Sequence, residues 1–370
     1  MHITKGQLAL AGAAAAALLA AGCAVELRQA PKFADCSTAA CYLSTVSEAQ
    51  WAEAAARPVS VNFDKLDANG TPADYTITSP NWSDPANRTL VFETGKAYVL
   101  KFRNRYSSFN NTAGGDSEHY FTSPEFYKSI VVRKIVTPTA TYTAPYLNDF
   151  ELNAPAHNNK VDTEAEIHFV AVKAGVFPAV CKPGEHSDYA KRAGMWATLQ
   201  IVGKSGANLD FDLPKDYPAA LGDPKHALKG IGYASNAKDT EFWRTLPLAE
   251  QAGGVAMQPL ALQGYAGQPG YKGTVLRLRK AEGSTGNWTL TSDFFKTLAL
   301  RKVHDPHVQI KPVLLTSIEF AAGPSAVNGV NASKPGRGEI DLFMVPTVAG
   351  AFDFQFKTAA ATSTGRVLVK

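Results

Sequence analysis

The chain repeats a long segment of itself, and this internal repeat restricts its possible folds more than any other feature. Residues 123–135 align without a gap with residues 291–303. Further along, residues 166–177 match residues 341–352. A period of this length indicates two copies of a whole domain rather than the short stacked units of a solenoid.

Both copies have the sequence pattern of β-structure. Short runs rich in β-branched and aromatic residues alternate with turn residues, which favours an all-β fold of two β-sandwich domains with short helices. In the first copy we predict strands at 58–63, 74–78, 89–92 and 97–102. A capping box at Ser47 and Gln50 predicts a short helix that continues through Ala56, with Trp51 packing inward. Residues 240–251 are a possible further helix.

The chain is long enough for two domains, each with its own core, because it has 370 residues of which 45% are hydrophobic. Composition turns to Gly, Pro, Asp and Lys after Gly203, which marks a boundary. The predicted organisation is a signal peptide at 1–22, a tether and short helix at 23–56, a first domain at 57–204, a linker at 205–225 and a second domain at 226–370.

The first copy carries a set of candidate metal ligands. Cys181, His186 and Met195 lie in one loop between two β-rich runs, and His119 lies well upstream. Copper that cycles between two oxidation states prefers a thiolate, two imidazoles and a weak axial thioether. These four residues therefore predict a blue-copper centre, held on strands that fix the ligand geometry before the metal binds.

The second copy lacks these ligands. In the sequence alignment His119 corresponds to Asn287 and Cys181 to Phe356, and the loop at 357–365 has neither His nor Met. We predict that the second domain does not bind copper in this way and serves packing, partner docking or shielding of the site.

The first copy resembles the cupredoxin family, which includes plastocyanin and azurin. The resemblance is carried by residues 118–126, 175–177 and 181–202, and it covers about residues 91–203. It implies Greek-key β-sandwiches and one type 1 copper ion bound by His119, Cys181, His186 and Met195. Its members transfer single electrons.

The ligand loop departs from the family pattern in its length. Four residues separate Cys181 from His186, as in azurin-like loops, but eight separate His186 from Met195. The longer loop either returns Met195 to the axial position or leaves copper with three strong ligands and a different fourth. Tyr120 follows the first His, where a small polar residue often supports the thiolate in the family.

The N-terminus predicts export and lipidation. Lys5 precedes an apolar segment at 8–20 that is too short to span a bilayer, which is typical of a signal peptide. The segment ends in Leu-Ala-Ala-Gly-Cys23, which resembles a bacterial lipobox; the alternative is an ordinary signal peptide with a chance Cys. We expect a lipid on Cys23 to hold the protein on the periplasmic side of a bacterial membrane. Ala24 favours the outer membrane.

The remaining cysteines fit an oxidising compartment. Cys36 and Cys41 are close in sequence and predict a local disulfide. The alternative, a second metal site, lacks nearby His partners. This leaves Cys181 as the free thiol for the metal.

Charge and motifs exclude several classes of function. The net charge is +4 without a Lys or Arg run, which predicts no nucleic-acid binding. No nucleotide-binding or nucleophile motif occurs. Multicopper oxidases and copper nitrite reductases resemble tandem cupredoxins but need further His pairs, so we expect that the chain is not an enzyme.

The expected function is outer-sphere electron transfer with a redox partner protein, either a cytochrome or a copper enzyme. Two alternatives stay open at this stage. One is a lipoprotein that holds or delivers copper, and the other is a non-redox structural lipoprotein with a degenerate site.

Overall fold

The structure is a computed structural model that describes residues 32–66, 72–78, 82–84, 88–104, 118–153, 162–181, 187–191, 193–203, 232–233, 243–251, 254–264, 272–282, 284, 286–323 and 335–370. The signal peptide, Cys23, His186 and the predicted linker at 205–225 lie outside the described residues. Side chains of residues 64–87 are likewise outside the description.

Short helices occur at the N-terminal end and before two central strands. They are α1 (Ala39–Ser44), α2 (Glu48–Ala56) and α3 (Pro124–Tyr127), with 3-10 turns at Phe33–Asp35 and Asp293–Thr297. The predicted capping box of α2 is confirmed, because the Ser47 side chain accepts from the Gln50 N–H and the Gln50 side chain accepts from the Ser47 N–H. Trp51 is buried, as expected. Within the described ranges no helix has the length and apolar character needed to cross a membrane.

The helices α1 and α2 pack on the outside of the strands. Tyr42 and Trp51 form a small apolar cluster with Val131, Val170 and other strand residues. Residues 33–44, within the segment predicted as tether and short helix, thus pack on the sheet surface through their aromatic and aliphatic side chains.

The other elements are strands, and the predicted all-β class is confirmed. The first half of the molecule, residues 59–202, contains β1 (Val59–Leu66), β2 (Pro72–Thr78), β3 (Trp82–Asp84), β4 (Thr89–Glu93), β5 (Ala97–Asn104), β6 (His119–Tyr120), β7 (Ile130–Val136), β8 (Ala140–Thr143), β9 (Tyr146–Leu152), β10 (Thr163–Ala171), β11 (Gly175–Val180), β12 (Ser187–Asp188), β13 (Ala193–Gly194) and β14 (Trp196–Val202). The four strands predicted between residues 58 and 102 are all present.

The second half, residues 232–369, continues the series. It contains β15 (Gly232–Tyr233), β16 (Trp243–Gln251), β17 (Gly254–Met257), β18 (Leu260–Leu262), β19 (Lys272–Lys280), β20 (Trp288–Thr291), β21 (Leu298–His304), β22 (Val308–Leu314), β23 (Ser317–Phe320), β24 (Glu339–Pro346), β25 (Gly350–Lys357) and β26 (Thr362–Val369). The possible helix at 240–251 is wrong. The described part of this segment, residues 243–251, is β16. Pro247 disfavours a helix, and β17 and β19 pair with the strand on either side.

Three large sheets build the molecule, and two of them run through both halves. An 11-stranded sheet has the order β18-β26-β25-β20-β23-β8-β7-β10-β5-β1-β2. A 9-stranded sheet has eight strands in the order β17-β16-β19-β24-β21-β22-β9-β6, and its ninth strand, β15, pairs with β19 outside this order. A 4-stranded sheet, β11-β14-β4-β3, contains only strands of the first half.

The two halves join through two equivalent strand pairs. Ala140 pairs with Phe320 where β8 meets β23, and Val308 pairs with Leu152 where β22 meets β9. With the repeat offset of 168 residues, as between residues 123 and 291, Ala140 corresponds to Val308 and Leu152 to Phe320. The two junctions are therefore the same pairing with the halves exchanged, which gives the interface an approximate two-fold symmetry.

Thr137 and Asp305 lie between these junctions and touch each other. They hold equivalent positions in the repeat, and the Thr137 hydroxyl donates to Asp305 Oδ2 at 2.7 Å. Tyr142 donates to the same oxygen, while the backbone N–H groups of His307 and Val308 donate to Oδ1. These four hydrogen bonds offset the cost of burying the carboxylate.

The apolar core is shared between the halves. One buried cluster contains residues of both, including Leu147 and Phe150 from the first half and Ile310 and Ile318 from the second. We expected each domain to have its own core. Instead, two sheets run through both halves, and the buried apolar residues of the two halves form one core.

Candidate metal centre

Cys181 and Met195 lie side by side at the ends of two paired strands. β11 and β14 are antiparallel, with Val180 opposite Trp196. One step further, the Cys181 N–H donates to the Met195 carbonyl at 3.1 Å. Both side chains are fully buried. The sheet thus fixes the backbone of two predicted ligands next to each other.

The described part of the loop between them pairs with itself. Ser187 pairs with Gly194, and Asp188 pairs with Ala193, so the extra residues of the loop form the small hairpin β12–β13. The Tyr189 hydroxyl lies 2.9 Å from that of Thr198, which attaches the hairpin to β14. The hairpin explains how a longer loop returns to Met195 beside Cys181.

His119 reaches the same place from another sheet. It starts β6, at the edge of the nine-stranded sheet, and pairs with Leu152. Its imidazole is buried and stacks on Phe63, with ring centroids 4.9 Å apart and an interplanar angle of 10°. His119 Nδ1 lies 3.7 Å from Cys181 Sγ.

This separation fits a metal ion bound by both atoms. With metal–sulfur and metal–nitrogen bonds of about 2.3 and 2.0 Å, as at zinc sites, two ligand atoms lie about 3.5–3.8 Å apart at tetrahedral to trigonal angles. The observed 3.7 Å falls within that range. A thiolate and an imidazole suit copper by their softness. Without a metal, the same contact serves as a hydrogen bond between thiol and imidazole.

His186 and Met195 are the other two predicted ligands. His186 lies outside the described residues, and within those residues no three His, Cys, Asp or Glu side chains are grouped to hold a metal. Met195 has its backbone beside Cys181 and its side chain buried, and its axial role stays a prediction.

Backbone groups around Cys181 support the sulfur. The Tyr120 N–H donates to Cys181 Sγ at 3.3 Å. Thr122 and Val180 exchange two backbone hydrogen bonds, of 3.0 and 3.1 Å, which tie the segment after His119 to the strand before Cys181. Sequence reasoning placed Tyr120 at the position that supports the thiolate in cupredoxins, but it did not identify the backbone N–H as the donor.

A buried carboxyl group lies next to this segment. Glu151 is opposite Tyr120 in the strand pair, and its side chain is hydrogen-bonded to those of Tyr120 and Glu118. Burial, followed by the nearby Glu118 charge, raises the pKa of Glu151 to about 8. Burial and the Glu151 charge also raise the pKa of Tyr120 above its usual value. This group could not be predicted from the sequence, because it is buried by the pairing of β9 with both β6 and β22.

The remaining predicted cysteine pair lies far along the chain from this site. Cys36 and Cys41 are joined by a disulfide, with Cα atoms 5.3 Å apart. Among the described residues, Cys181 is a buried cysteine that forms no disulfide.

The described parts of the chain thus bring a buried Cys and a buried His together from two sheets of an all-β fold. No protein-family model and no curated protein sequence matches this chain. Solved structures that match include the Cu-containing nitrite reductase (NirK) from Thermus scotoductus SA-01, at 13% identity and a TM-score of 0.23 over 85% of this chain and 61% of that one. The chain thus spans less than two thirds of the Thermus protein.

Two proteins of Nitrosomonas europaea match in a similar way. Its copper nitrite reductase has 12% identity and a TM-score of 0.24, over 85% of this chain and 93% of that one. Its blue copper oxidase has 10% identity and a TM-score of 0.22, over 84% and 85%. These neighbours are cupredoxin-fold copper proteins, and at these identities the likeness concerns the fold alone.

The matches correct one expectation. We expected that the chain is not an enzyme, because the His pairs of tandem-cupredoxin enzymes are missing from its sequence. The matching structures are nitrite reductases and oxidases, which contradicts that expectation: the fold is one that copper enzymes use. The likeness assigns no reaction to this chain.

Proposed function

We propose that the chain is a type 1 copper protein that transfers one electron at a time, with His119, Cys181, His186 and Met195 as the copper ligands. The observation that carries the proposal is the 3.7 Å contact between His119 Nδ1 and Cys181 Sγ. Two ligand types of different chemistry, both buried, meet there from separate sheets. A His or Cys with only a structural role does not need a second ligand type beside it.

The residues around the site suit this role. Copper, when bound, would gain and lose one electron reversibly. The chain keeps water away from Cys181 and His119 through burial, stacks Phe63 on the imidazole and donates the Tyr120 N–H to the sulfur. Hydrogen bonds to a ligand sulfur and a rigid scaffold are the means by which proteins adjust a copper potential.

The proposal includes the location and the partner. A lipid on Cys23 would hold the protein at the periplasmic side of a bacterial membrane, with the outer membrane favoured by Ala24. The electron donor or acceptor would be a cytochrome or a copper enzyme, bound weakly through a small interface. These points rest on the sequence.

Copper binding is tested on the purified full chain. We expect added copper(II) to give an intense visible thiolate-to-copper band with a matching electron paramagnetic resonance signal. Cys181→Ser should abolish the band, while the control His168→Gln, a buried histidine that contacts Glu166 at 3.0 Å, should keep it. A wild-type protein without the band, or a band that persists in Cys181→Ser, would contradict the proposal. If the protein binds copper without the visible band and releases it at neutral pH, a role in copper delivery would be favoured instead.

The fourth ligand is tested separately with Met195→Leu, which keeps the volume of this buried side chain. If Met195 is axial, the variant should keep the visible band but shift its position and the reduction potential. An unchanged spectrum and potential would show that another group takes the fourth position.

A further inference from the structure

The strand that carries His119 is attached to a sheet made mostly by the second half. β6 is the edge strand of the nine-stranded sheet and pairs with β9, whose other edge pairs with β22 of the second half. Cys181 and Met195 belong instead to β11 and β14 of the separate four-stranded sheet. The position of His119 relative to Cys181 therefore depends on how the second half holds β9.

A row of side chains reinforces that attachment on one face of the sheet. Lys302 Nζ donates to Gln309 Oε1, and Gln309 Nε2 donates to Glu151 Oε1. Glu151 is in turn hydrogen-bonded to the Tyr120 side chain. Gln309 and Glu151 are 8% and 6% exposed, so water competes little for these bonds. Lys302 and Gln309 come from the second half, while Glu151 and Tyr120 come from the first.

The last residue of the row also supports the candidate ligand sulfur. The Tyr120 backbone N–H donates to Cys181 Sγ at 3.3 Å, and the residue before it is His119. We propose that Lys302 and Gln309 of the second half are positioning residues for the copper centre, holding Tyr120 and His119 against Cys181 through Glu151. This inference rests on the proposed copper function, and it gives the ligand-free half a role in the site of the other half.

The symmetry of the interface supplies a matched place without a ligand site. Thr141 holds the position equivalent to Gln309, and it pairs with Glu319, which is equivalent to Glu151. Glu319 is exposed, in contrast to Glu151. A change at Thr141 therefore perturbs the same kind of junction between the halves without reaching the row that ends at Tyr120.

The test uses the purified full chain loaded with copper(II). Gln309→Met keeps the side-chain length and removes the amide, and Lys302→Met does the same for the ammonium group. We expect each to weaken copper affinity by about 10-fold or more, the usual effect of removing an outer-shell partner, and to alter the thiolate-to-copper band and the paramagnetic signal. The control Thr141→Val should stay within about twofold of wild type, with an unchanged spectrum.

A double-variant cycle tests whether the effect passes through Tyr120. Tyr120→Phe removes the phenol that bonds Glu151 but keeps the ring and the backbone N–H. If the row acts as one unit, Gln309→Met combined with Tyr120→Phe should weaken affinity by less than the product of the single effects. Fully multiplicative effects would overturn the inference, because the two residues would then act independently.

The outcomes separate this inference from the proposed function. If wild type binds copper with the visible band while Gln309→Met and Lys302→Met behave like Thr141→Val, the positioning role is wrong and the copper function stands. If wild type shows no band, the proposed function itself fails. Should Gln309→Met not fold, as judged by circular dichroism, Lys302→Met and Tyr120→Phe decide; wild-type affinity and spectra in both would overturn the inference.

Discussion

The two halves of the molecule use the same strand pairing, but they have chemically different side chains at the equivalent position. Leu152 and Phe320 are equivalent, and they pair with His119 and Trp288 respectively. Trp288 therefore holds the place of His119. The first half puts a polar ring there, while the second half puts a fully buried indole that stacks on Phe320, with centroids 4.2 Å apart.

The place of the sulfur shows the same contrast. Thr122 and Val180 form the bridge before Cys181, and Thr291 pairs with Gln355 in the same way before Phe356. The contact between His119 and Cys181 thus becomes a contact between the Trp288 and Phe356 rings, with centroids 5.6 Å apart. Aromatic packing occupies this place in the second half. The first half has a polar pair at the same place, in agreement with the proposed copper function.

Trp288 is a packing residue by this comparison, and Trp288→Ala should have the largest effect on stability. Removal of this buried indole should destabilise the copper-free protein by about 3–5 kcal/mol, as expected for a Trp-to-Ala change in a core. Urea unfolding followed by circular dichroism measures the loss. Thr289→Ala, one residue along the same strand and half-buried, is the matched control.

His119→Ala at the equivalent place should cost less in the same copper-free assay, because its ring is smaller and polar. If Trp288→Ala proves no more harmful than Thr289→Ala, the second place is not a packing site, and the contrast between the halves loses its basis.

A second difference concerns one charged pair on equivalent strands. Arg277 and Asp341 are fully buried and bidentate, with two contacts of 2.7 Å, while Lys101 and Glu166 lie 3.4 Å apart and are 38% and 31% exposed. Breaking a buried pair leaves an uncompensated charge, so Asp341→Asn should cost about 3 kcal/mol. We take the lower end of the usual range because Glu339 stays 3.7 Å from Arg277.

Glu166→Gln is the matched change in the first half. An exposed pair is screened by water, so it should cost below about 1 kcal/mol in the same unfolding assay. Equal losses for Asp341→Asn and Glu166→Gln would show that burial does not distinguish the two pairs.

The sequence predicted the all-β class and the strands between residues 58 and 102, because local alternation and turn residues determine them. The proposed ligands also come from the sequence, and His119, Cys181 and Met195 lie in described parts of the chain. It aligned His119 with Asn287, which the structure corrects to Trp288. The segment from His119 to Ile130 is one residue longer than that from Trp288 to Leu298, and a gap-free alignment hides this.

Features that depend on pairing between distant strands could not be predicted from the sequence. The junctions of β8 with β23 and of β22 with β9 join residues more than 150 positions apart, and nothing in a single strand specifies its partner. The burial of Glu151 and the row from Lys302 to Tyr120 follow from one of these junctions, so neither could be predicted.

The third prediction concerns the pH dependence of stability that the buried Glu151 carboxyl group causes. Burial raises the folded-state pKa of Glu151 to about 8, above its usual 4.5. Between these values the folded state keeps a proton that the unfolded state has lost, so stability should fall as pH rises from about 5 to 8, by at most about 1.4 kcal/mol per pH unit. Denaturant unfolding of the copper-free chain across this range measures the slope.

Glu151→Gln should remove this part of the pH dependence. A slope that Glu151→Gln does not change would mean that the carboxyl titrates alike in the folded and unfolded states.

The smallest expected effect comes from one serine in each half. Ser123 donates to the Pro178 carbonyl at 2.6 Å, and Ser292 donates to the equivalent Asp353 carbonyl at 2.7 Å. Ser123→Ala removes this one hydrogen bond and should cost about 1 kcal/mol in unfolding free energy. Ser292→Ala also removes the hydrogen bond that the Ser292 hydroxyl accepts from the Phe294 N–H at 3.1 Å, so it should cost somewhat more. Ser123→Ala should also weaken copper affinity, because Pro178 lies on β11 just before Cys181, whereas Ser292→Ala should leave copper affinity unchanged. If both variants change copper affinity alike, the two halves are coupled more tightly than their separate chemistry requires.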